Sequence, residues 1–464
     1  MRLPLLDYGN MLAPRLDGRG IDPARLEGDL PGRFAAAHRE VERRREAGEM
    51  GFFDLPYATE TVRQVRELAE GFGQWFENVV VLGIGGSGLG AVMLREALLG
   101  PGWNERTAEG REHYPTLYVL DNPDPHSVAS LLGRLDLRRT LFNVISKSGS
   151  TAETLAQYLV VKGRLEALVD PDKVHGHFLF TTDPAEGALR RIAEAEQVPT
   201  LPVPPNVGGR FSVLSPVGLL PAAICGADVE ALLTGAAAME ARCRTASLGE
   251  NPAALLATLM HAADTELGAH VHVLMPYADR LRALALWFQQ LWAESLGKTT
   301  RGDSGEAVEV GPTPLPAVGA TDQHSQVQLF IDGPRDKVVL FVAVETTGDP
   351  VPIPSLHPEM PQLSYLGGHT LAELLDAERR ATAEALRQRG RPSMTLEIEA
   401  VDATSLGALI MLFQTATVYA GALYGVDPLD QPGVELGKKL TYGLLGREGH
   451  EAIGLPEPDP RWRI

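Results

Sequence analysis

From Asn78 onward the chain alternates short, continuous apolar runs with longer helical patterns, and this rhythm constrains the fold more than any other feature. The runs at 79–82, 117–120, 141–145 and 178–181 hold β-branched, leucine and aromatic residues with little polar alternation. Strands covered on both faces read this way, whereas a strand with one wet face alternates. With a helical stretch between each pair, the pattern predicts βαβ units and a parallel sheet. A second series at 271–275, 327–331, 338–344 and 394–398 repeats the pattern, so two similar sheets are expected. Between them, helices are expected over 229–244 and 252–267, with a domain boundary near residue 245. Two helices before residue 78, at 33–47 and 59–71, are expected to pack outside the first sheet. The stretch 297–319 reads as a long loop, and the run Arg43, Arg44, Arg45 as a solvated helix face.

The first of these strands runs into Gly83-Ile84-Gly85-Gly86-Ser87-Gly88 and then a helix over 89–99. That spacing makes a tight turn whose backbone N–H groups and following helix can face an anion. With Asp121 at the end of the next strand, the turn fits a nicotinamide dinucleotide as well as a phosphate. The third strand ends in Ser146-Lys147-Ser148-Gly149-Ser150-Thr151 before another helix. Four hydroxyls around a flexible glycine form a cradle for a compact anion, although hydroxyl residues also cap helices. A sugar phosphate uses such a nest at a third strand, and a dinucleotide domain does not.

Charge bounds the partners. The chain has 42 Lys and Arg against 60 Asp and Glu, a formal charge of −18, so its far field repels nucleic-acid backbones and anionic membranes. An anionic substrate must then be held by local donors. Two cysteines, Cys225 and Cys243, make no disulfide framework and read as buried thiols. Segment 403–426 is uncharged but interrupted by hydroxyl residues and Gln414, and reads as a buried core helix. No secretory segment is read at the start, and a cytoplasmic location is expected. The pairs His175/His177 and His270/His272 have no carboxylate or Cys at ligand spacing, so no metal is expected.

Strand-GIGGSGLG and strand-SKSGSTAET resemble the sugar isomerase fold. Four later blocks resemble the glucose-6-phosphate isomerase family in particular: NVGGRFSVLSPVG from Asn206, FQQLWAESLGK from Phe288, TDQHSQVQLFIDG from Thr321 and DQPGVELGKK from Asp430. Leu429 departs from the aromatic usual there. The resemblance implies two doubly wound parallel-sheet sugar isomerase domains, three-layer α-β-α, with helical N- and C-terminal extensions. The implied bounds are 1–54 for the N-terminal extension, 55–245 for a phosphate-binding domain, 246–445 for a domain with the catalytic base, and 446–464 for a tail. It implies isomerisation of an aldose phosphate to a ketose phosphate through an enediolate. Glu294 is implied as the proton-shuttling base, on a helix with Gln290 one turn earlier; Arg210 as the cation near C1 and C2; His324 and Lys438 as the ring-opening pair. Substrate contacts are expected from Gly86, Ser87, Ser146, Lys147, Ser148, Thr151, Thr154, Gln290 and Gln431. The hydrogen moves as a proton within one substrate, so no cofactor is expected. A homodimer is implied, with His324 supplied to the neighbouring subunit's site.

Overall fold

The computed structural model describes every residue except 1, 303, 452 and 453, so one position of the 297–319 stretch and two of the tail lie outside it. The chain opens on a short strand, β1 (Leu5–Asp7), and two helices, Asp29–Glu46 and Thr59–Trp75. Five parallel strands follow: β2 (Asn78–Leu82), β3 (Thr116–Leu120), β4 (Thr140–Ser146), β5 (Phe178–Thr182) and β6 (Thr200–Pro202). They form one sheet in the order β3-β2-β4-β5-β6. Four strands of the second half, β7 (Val271–Pro276), β10 (Thr313–Pro316), β11 (Lys337–Thr346) and β12 (Ser393–Ala400), make a second parallel sheet, and a hairpin of β8 (Lys298–Arg301) and β9 (Ala307–Val310) stands apart. The order there is β1-β12-β11-β7-β10, with β1 antiparallel at the edge.

Both sheets therefore share one winding. The first strand lies between the second and third, and the fourth continues on the third strand's side. In such sheets the chain reverses direction between the first and third strands, leaving a crevice at their carboxyl ends where ligands bind. In the first sheet that crevice lies between β2 and β4, the two strands that end in the glycine turn and the hydroxyl nest.

Two expectations for the second sheet change. Residues 327–331 form a helix, Val327–Asp332, in place of a strand. Val327 and Phe330, three apart, are buried, and a short apolar run of this length satisfies either period. The sheet position is taken by β10, inside the stretch read as loop. Pro314 and Pro316 hide its pattern, but on an edge strand a missing N–H is tolerated. The N-terminal extension also differs: β1 joins the second sheet, and the Asp29–Glu46 helix packs on the Ala403–Tyr424 helix.

That last helix is the molecular axis. Its 22 residues are long and apolar enough to cross a membrane, yet 89% of its most apolar window is buried inside the fold. It runs against the helices Val229–Arg242, Pro252–Leu267 and Arg282–Leu296. Gly407 and Gly235 allow the closest contact: a Cβ on Gly407 would stand 1.8 Å from the Leu232 carbonyl oxygen. One hydrophobic core runs continuously from Val79 and Val81 in the first sheet to Leu274 and Leu340 in the second. Cys225 and Cys243 are buried free thiols within it. The arginine run is only partly solvated. Arg43 is exposed, but Arg44 bonds Asp427 at 2.9 Å and Arg45 reaches the buried Glu240 at 2.7 Å.

Candidate active site

The Arg282–Leu296 helix sets the geometry. One face, Trp287, Phe288, Leu291, Trp292 and Ser295, is buried, with Phe288 stacked on Trp292 at 5.2 Å and against Phe413 at 5.0 Å. Burying side chains of this size stabilises by roughly 1.5–3 kcal/mol each, which locks the helix's rotation. The opposite stripe, Leu286, Gln290, Ala293, Glu294 and Gly297, then lines a cleft of about 790 Å³ with Gly85 and Gln431. Gln290 and Glu294, four residues apart, touch: the amide donates to Glu294 Oε2 at 3.2 Å.

Arg210 enters the same place from the opposite wall. Its guanidinium is 4% exposed and donates from Nε to Ser295 Oγ at 2.7 Å, from Nη1 to Gln431 Oε1 at 2.8 Å, and from Nη2 to the carbonyls of Asp430 (2.9 Å) and Pro428. Nη1 lies 3.7 Å from Glu294 Oε1. Burial pulls the Arg210 pKa down, opposed by the charges of Glu294, Asp430 and Asp427, and a guanidinium still stays charged. The result is a fixed cation beside a carboxylate that opens onto the cleft.

The glycine turn closes against this pair. A Cβ on Gly86 would stand 2.2 Å from the Gly209 carbonyl oxygen, so only glycine allows the turn to meet the segment that carries Arg210. At Gly85, φ +57°, a Cβ would stand 3.0 Å from the Gln290 amide nitrogen. Ser87 lies in the same tight turn, half-buried. Asp121 backs the turn, against Gly88.

The hydroxyl nest joins through residues 205–210. Lys147 Nζ donates to the Pro205 carbonyl at 2.7 Å, and burial lowers its pKa against the pull of Asp183. Ser146 Oγ and Thr151 Oγ1 are 2.9 Å apart, while Ser148 Oγ accepts from the Ser150 N–H at 3.3 Å. Thr151 stands at the start of the Ala152–Glu166 helix without capping it. The first N–H groups of that helix are thus left without a side-chain partner from Thr151, which is what an incoming anion needs. Thr154, one turn on, is buried with its hydroxyl unpartnered among the described residues.

Two further residues stand outside this cluster. His324 is exposed at the end of a short helical turn after β10 and takes part in none of these hydrogen bonds. Lys438 lies on the exposed Glu435–Leu444 helix, its ammonium 2.7 Å from Glu435 Oε1. A single chain therefore brings together Arg210, Gln290, Glu294 and Gln431, while His324 and Lys438 bond to none of them. Sequence reasoning missed Ser295, Lys298 and the Asp427–Asp430 carbonyls as partners of this site. Ser295 and Lys298 lie one and four residues after Glu294, yet a serine and a lysine near a helix end carry no signal until the fold shows what they hold. Leu429 is half-buried against the main core.

Three of the paired histidines bond to residues other than a common ligand. His272 is fully buried and accepts from the Trp292 indole at 3.0 Å, His270 bonds Asp264 at 2.6 Å, and His177 meets the Thr140 carbonyl at 3.1 Å. Among the described residues no three His, Cys, Asp or Glu side chains gather as a metal site.

A family model described as phosphoglucose isomerase matches residues 58–451. The chain belongs to that family. It is 44% identical over 447 residues to the glucose-6-phosphate isomerase of Carboxydothermus hydrogenoformans, covering 96% of this chain and 95% of the relative. The enzyme of the same name from Rubrobacter xylanophilus is 43% identical, with 96% and 99% covered. Among solved structures, a hypothetical protein from Thermus thermophilus superposes with a TM-score of 0.83 at 40% identity, covering 96% of this chain and 100% of that one. A glucose-6-phosphate isomerase from Chlamydia trachomatis superposes at 0.80 with 22% identity, covering 96% and 88%, and shares the fold. Membership in an isomerase family speaks against an oxidoreductase reading of the glycine turn with Asp121.

Proposed function

We infer that the chain interconverts glucose 6-phosphate and fructose 6-phosphate, an aldose-ketose isomerisation in glycolysis and gluconeogenesis. The reading is carried by one observation, the Glu294 carboxylate in an open cleft 3.7 Å from the buried Arg210 guanidinium. Moving a proton between C1 and C2 needs a base over both carbons and a positive charge beside the oxygens where negative charge develops. Glu294 is that base. Arg210, already fixed by four acceptors, meets the enediolate oxygen without reorganising. Gln290 and Gln431 flank the sugar from the two walls.

The phosphate belongs in the nest of Ser146, Lys147, Ser148, Thr151 and Thr154, with the N–H groups of Gly86 and Ser87 bordering the sugar. Support comes from the topology, which puts both loops at one chain reversal, and from the unpartnered Thr154 hydroxyl. The division into a phosphate-binding domain at 55–245 and a base-bearing domain at 246–445, flanked by 1–54 and 446–464, goes with this split of roles. His324 and Lys438 make no hydrogen bond or ion pair with Glu294 within one chain, and ring opening is assigned to a homodimer in which His324 reaches the neighbouring subunit's site. Lys438 acts from the C-terminal helix. The proton mechanism uses no cofactor, and the cytoplasm, where sugar phosphates are made, is the proposed location.

The deciding experiment replaces Glu294 by the near-isosteric Gln. Turnover and exchange of the C2 proton with deuterated water are expected to fall by about 10³-fold, within the range a positioned base supplies, while fructose 6-phosphate still binds. Exchange at the wild-type rate would place the base elsewhere.

A further inference from the structure

Lys298 sits four residues beyond Glu294, where the Arg282–Leu296 helix has ended and β8 begins. Its side chain is only 8% exposed. The ammonium donates to the carbonyls of Asp427 and Asp430, each at 2.8 Å, touches the Ser295 carbonyl at 3.3 Å, and pairs with Asp430 Oδ1 at 2.9 Å. All of these acceptors belong either to the end of the helix that carries Glu294 or to the 427–430 loop. That loop is the one Arg210 holds from the other side, and the Asp430 carbonyl oxygen is shared by both cations.

The placement has a mechanical consequence. Arg210 is held by Ser295 on the helix and by Pro428, Asp430 and Gln431 on the loop, so drift of the loop takes away three of its four acceptors. On its inner side the 427–431 segment is seated by the buried Pro428, packed on Gly421 of the Ala403–Tyr424 helix, and by the half-buried Leu429; its outer end, with Asp430 half-exposed, is held by the two cations. Asp427 is tethered from outside by Arg44 at 2.9 Å. Burying an ammonium is costly unless its N–H groups are all satisfied, and here they are satisfied by this loop and the helix end.

We propose that Lys298 is a positioning residue for the isomerisation: it ties the end of the Glu294 helix to the 427–430 loop, so that Arg210 and Gln431 stand at working distance from the carboxylate. Lys298 borders the same cleft, but its ammonium is taken up by the loop and the helix end, and it acts through them. The inference rests on the isomerase reading for its kinetic readout but not for its structural one.

The test uses Lys298→Met, which keeps the length and apolar stem and removes the ammonium. The variant is expected to lose about 30-fold in kcat, as misplaced catalytic groups do. KM for fructose 6-phosphate should stay within about threefold, since the phosphate nest is untouched. Amide hydrogen exchange over 427–433 should speed up while that of 282–296 does not. Unchanged kcat in the folded variant, a KM effect without a kcat effect, or unchanged exchange in the loop each overturns the proposal. Should Lys298→Met fail to fold, Asp430→Asn keeps the carbonyl and removes only the ion pair from a half-exposed side chain. It is expected to lower kcat by about threefold at constant KM, and no change there overturns the proposal as well. A wild-type enzyme inactive on both sugar phosphates would sink the isomerase reading, while the exchange experiment would still report on the clamp.

Discussion

The two sheets have the same winding and opposite chemistry. Behind β2 and β4 of the first sheet come glycines and hydroxyls, short side chains that let backbone N–H groups converge on an anion. Behind β7 of the second comes a helix that delivers Gln290 and Glu294 into a cleft shared with Gln431 and Gly85 of the first half. One winding thus supplies two crevices, and under the proposed function the residues at the strand ends make one grip while the other reacts. Arg210 belongs to the gripping half by sequence and to the reacting one by contact, since its partners are Ser295, Gln431, Asp430 and Pro428.

If reaction and ring opening come from different chains, two inactive proteins can repair each other. Glu294→Gln and His324→Ala are each expected to be inactive on cyclic substrate. After dissociation and random reassociation, about a quarter of all sites should recover, because half the dimers are hybrid and each hybrid rebuilds one site. Hybrids that form without activity would keep His324 within its own chain. A second test separates grip from reaction at Arg210. Replacing it with Lys is expected to lower kcat by about 10²-fold, because an ammonium cannot hold Ser295, Gln431 and the loop carbonyls at once and still face the substrate. A change confined to KM would move Arg210 into the gripping half.

The nest predicts the reverse signature. Ser148→Ala and Thr151→Ala should each raise KM by about tenfold, the low end for a lost hydrogen bond to a charged group, with kcat nearly kept. Unchanged affinity for fructose 6-phosphate and inorganic phosphate in the double variant would remove the nest from the site. The last prediction concerns stability and separates the sheets again. The buried strand β2 is wholly apolar at its centre, whereas β7 buries His272, whose pKa burial pushes down to about 3. A lowered folded-state pKa means the unfolded chain binds the extra proton first. Stability should therefore fall as pH drops below about 6.5, the unfolded value, and level off near pH 3. Chemical denaturation of His272→Gln across that window should show a shallower fall, and an identical slope would show that His272 does not contribute.

Much of this was legible in the chain itself. Continuous apolar runs at β2, β4, β7 and β11 mark strands buried on both faces, because nothing polar survives there without a partner. The glycine turn marks a close backbone approach, because only glycine at 86 lets the turn meet the Gly209 carbonyl. The charge of −18 confines anion binding to local donors. Only the tertiary structure decided that residues 327–331 coil as a helix while β10, with its two prolines, takes the sheet edge, since a five-residue apolar run fits either period. It alone decided that Arg44 and Arg45 leave solvent for Asp427 and Glu240. And it alone brought Lys298, Ser295 and the carbonyls of 428–430 around Arg210, because backbone acceptors have no side-chain identity for a sequence to display. What a chain writes in residue types can be read from it; what it assembles from main-chain atoms of distant segments exists only once the core has packed.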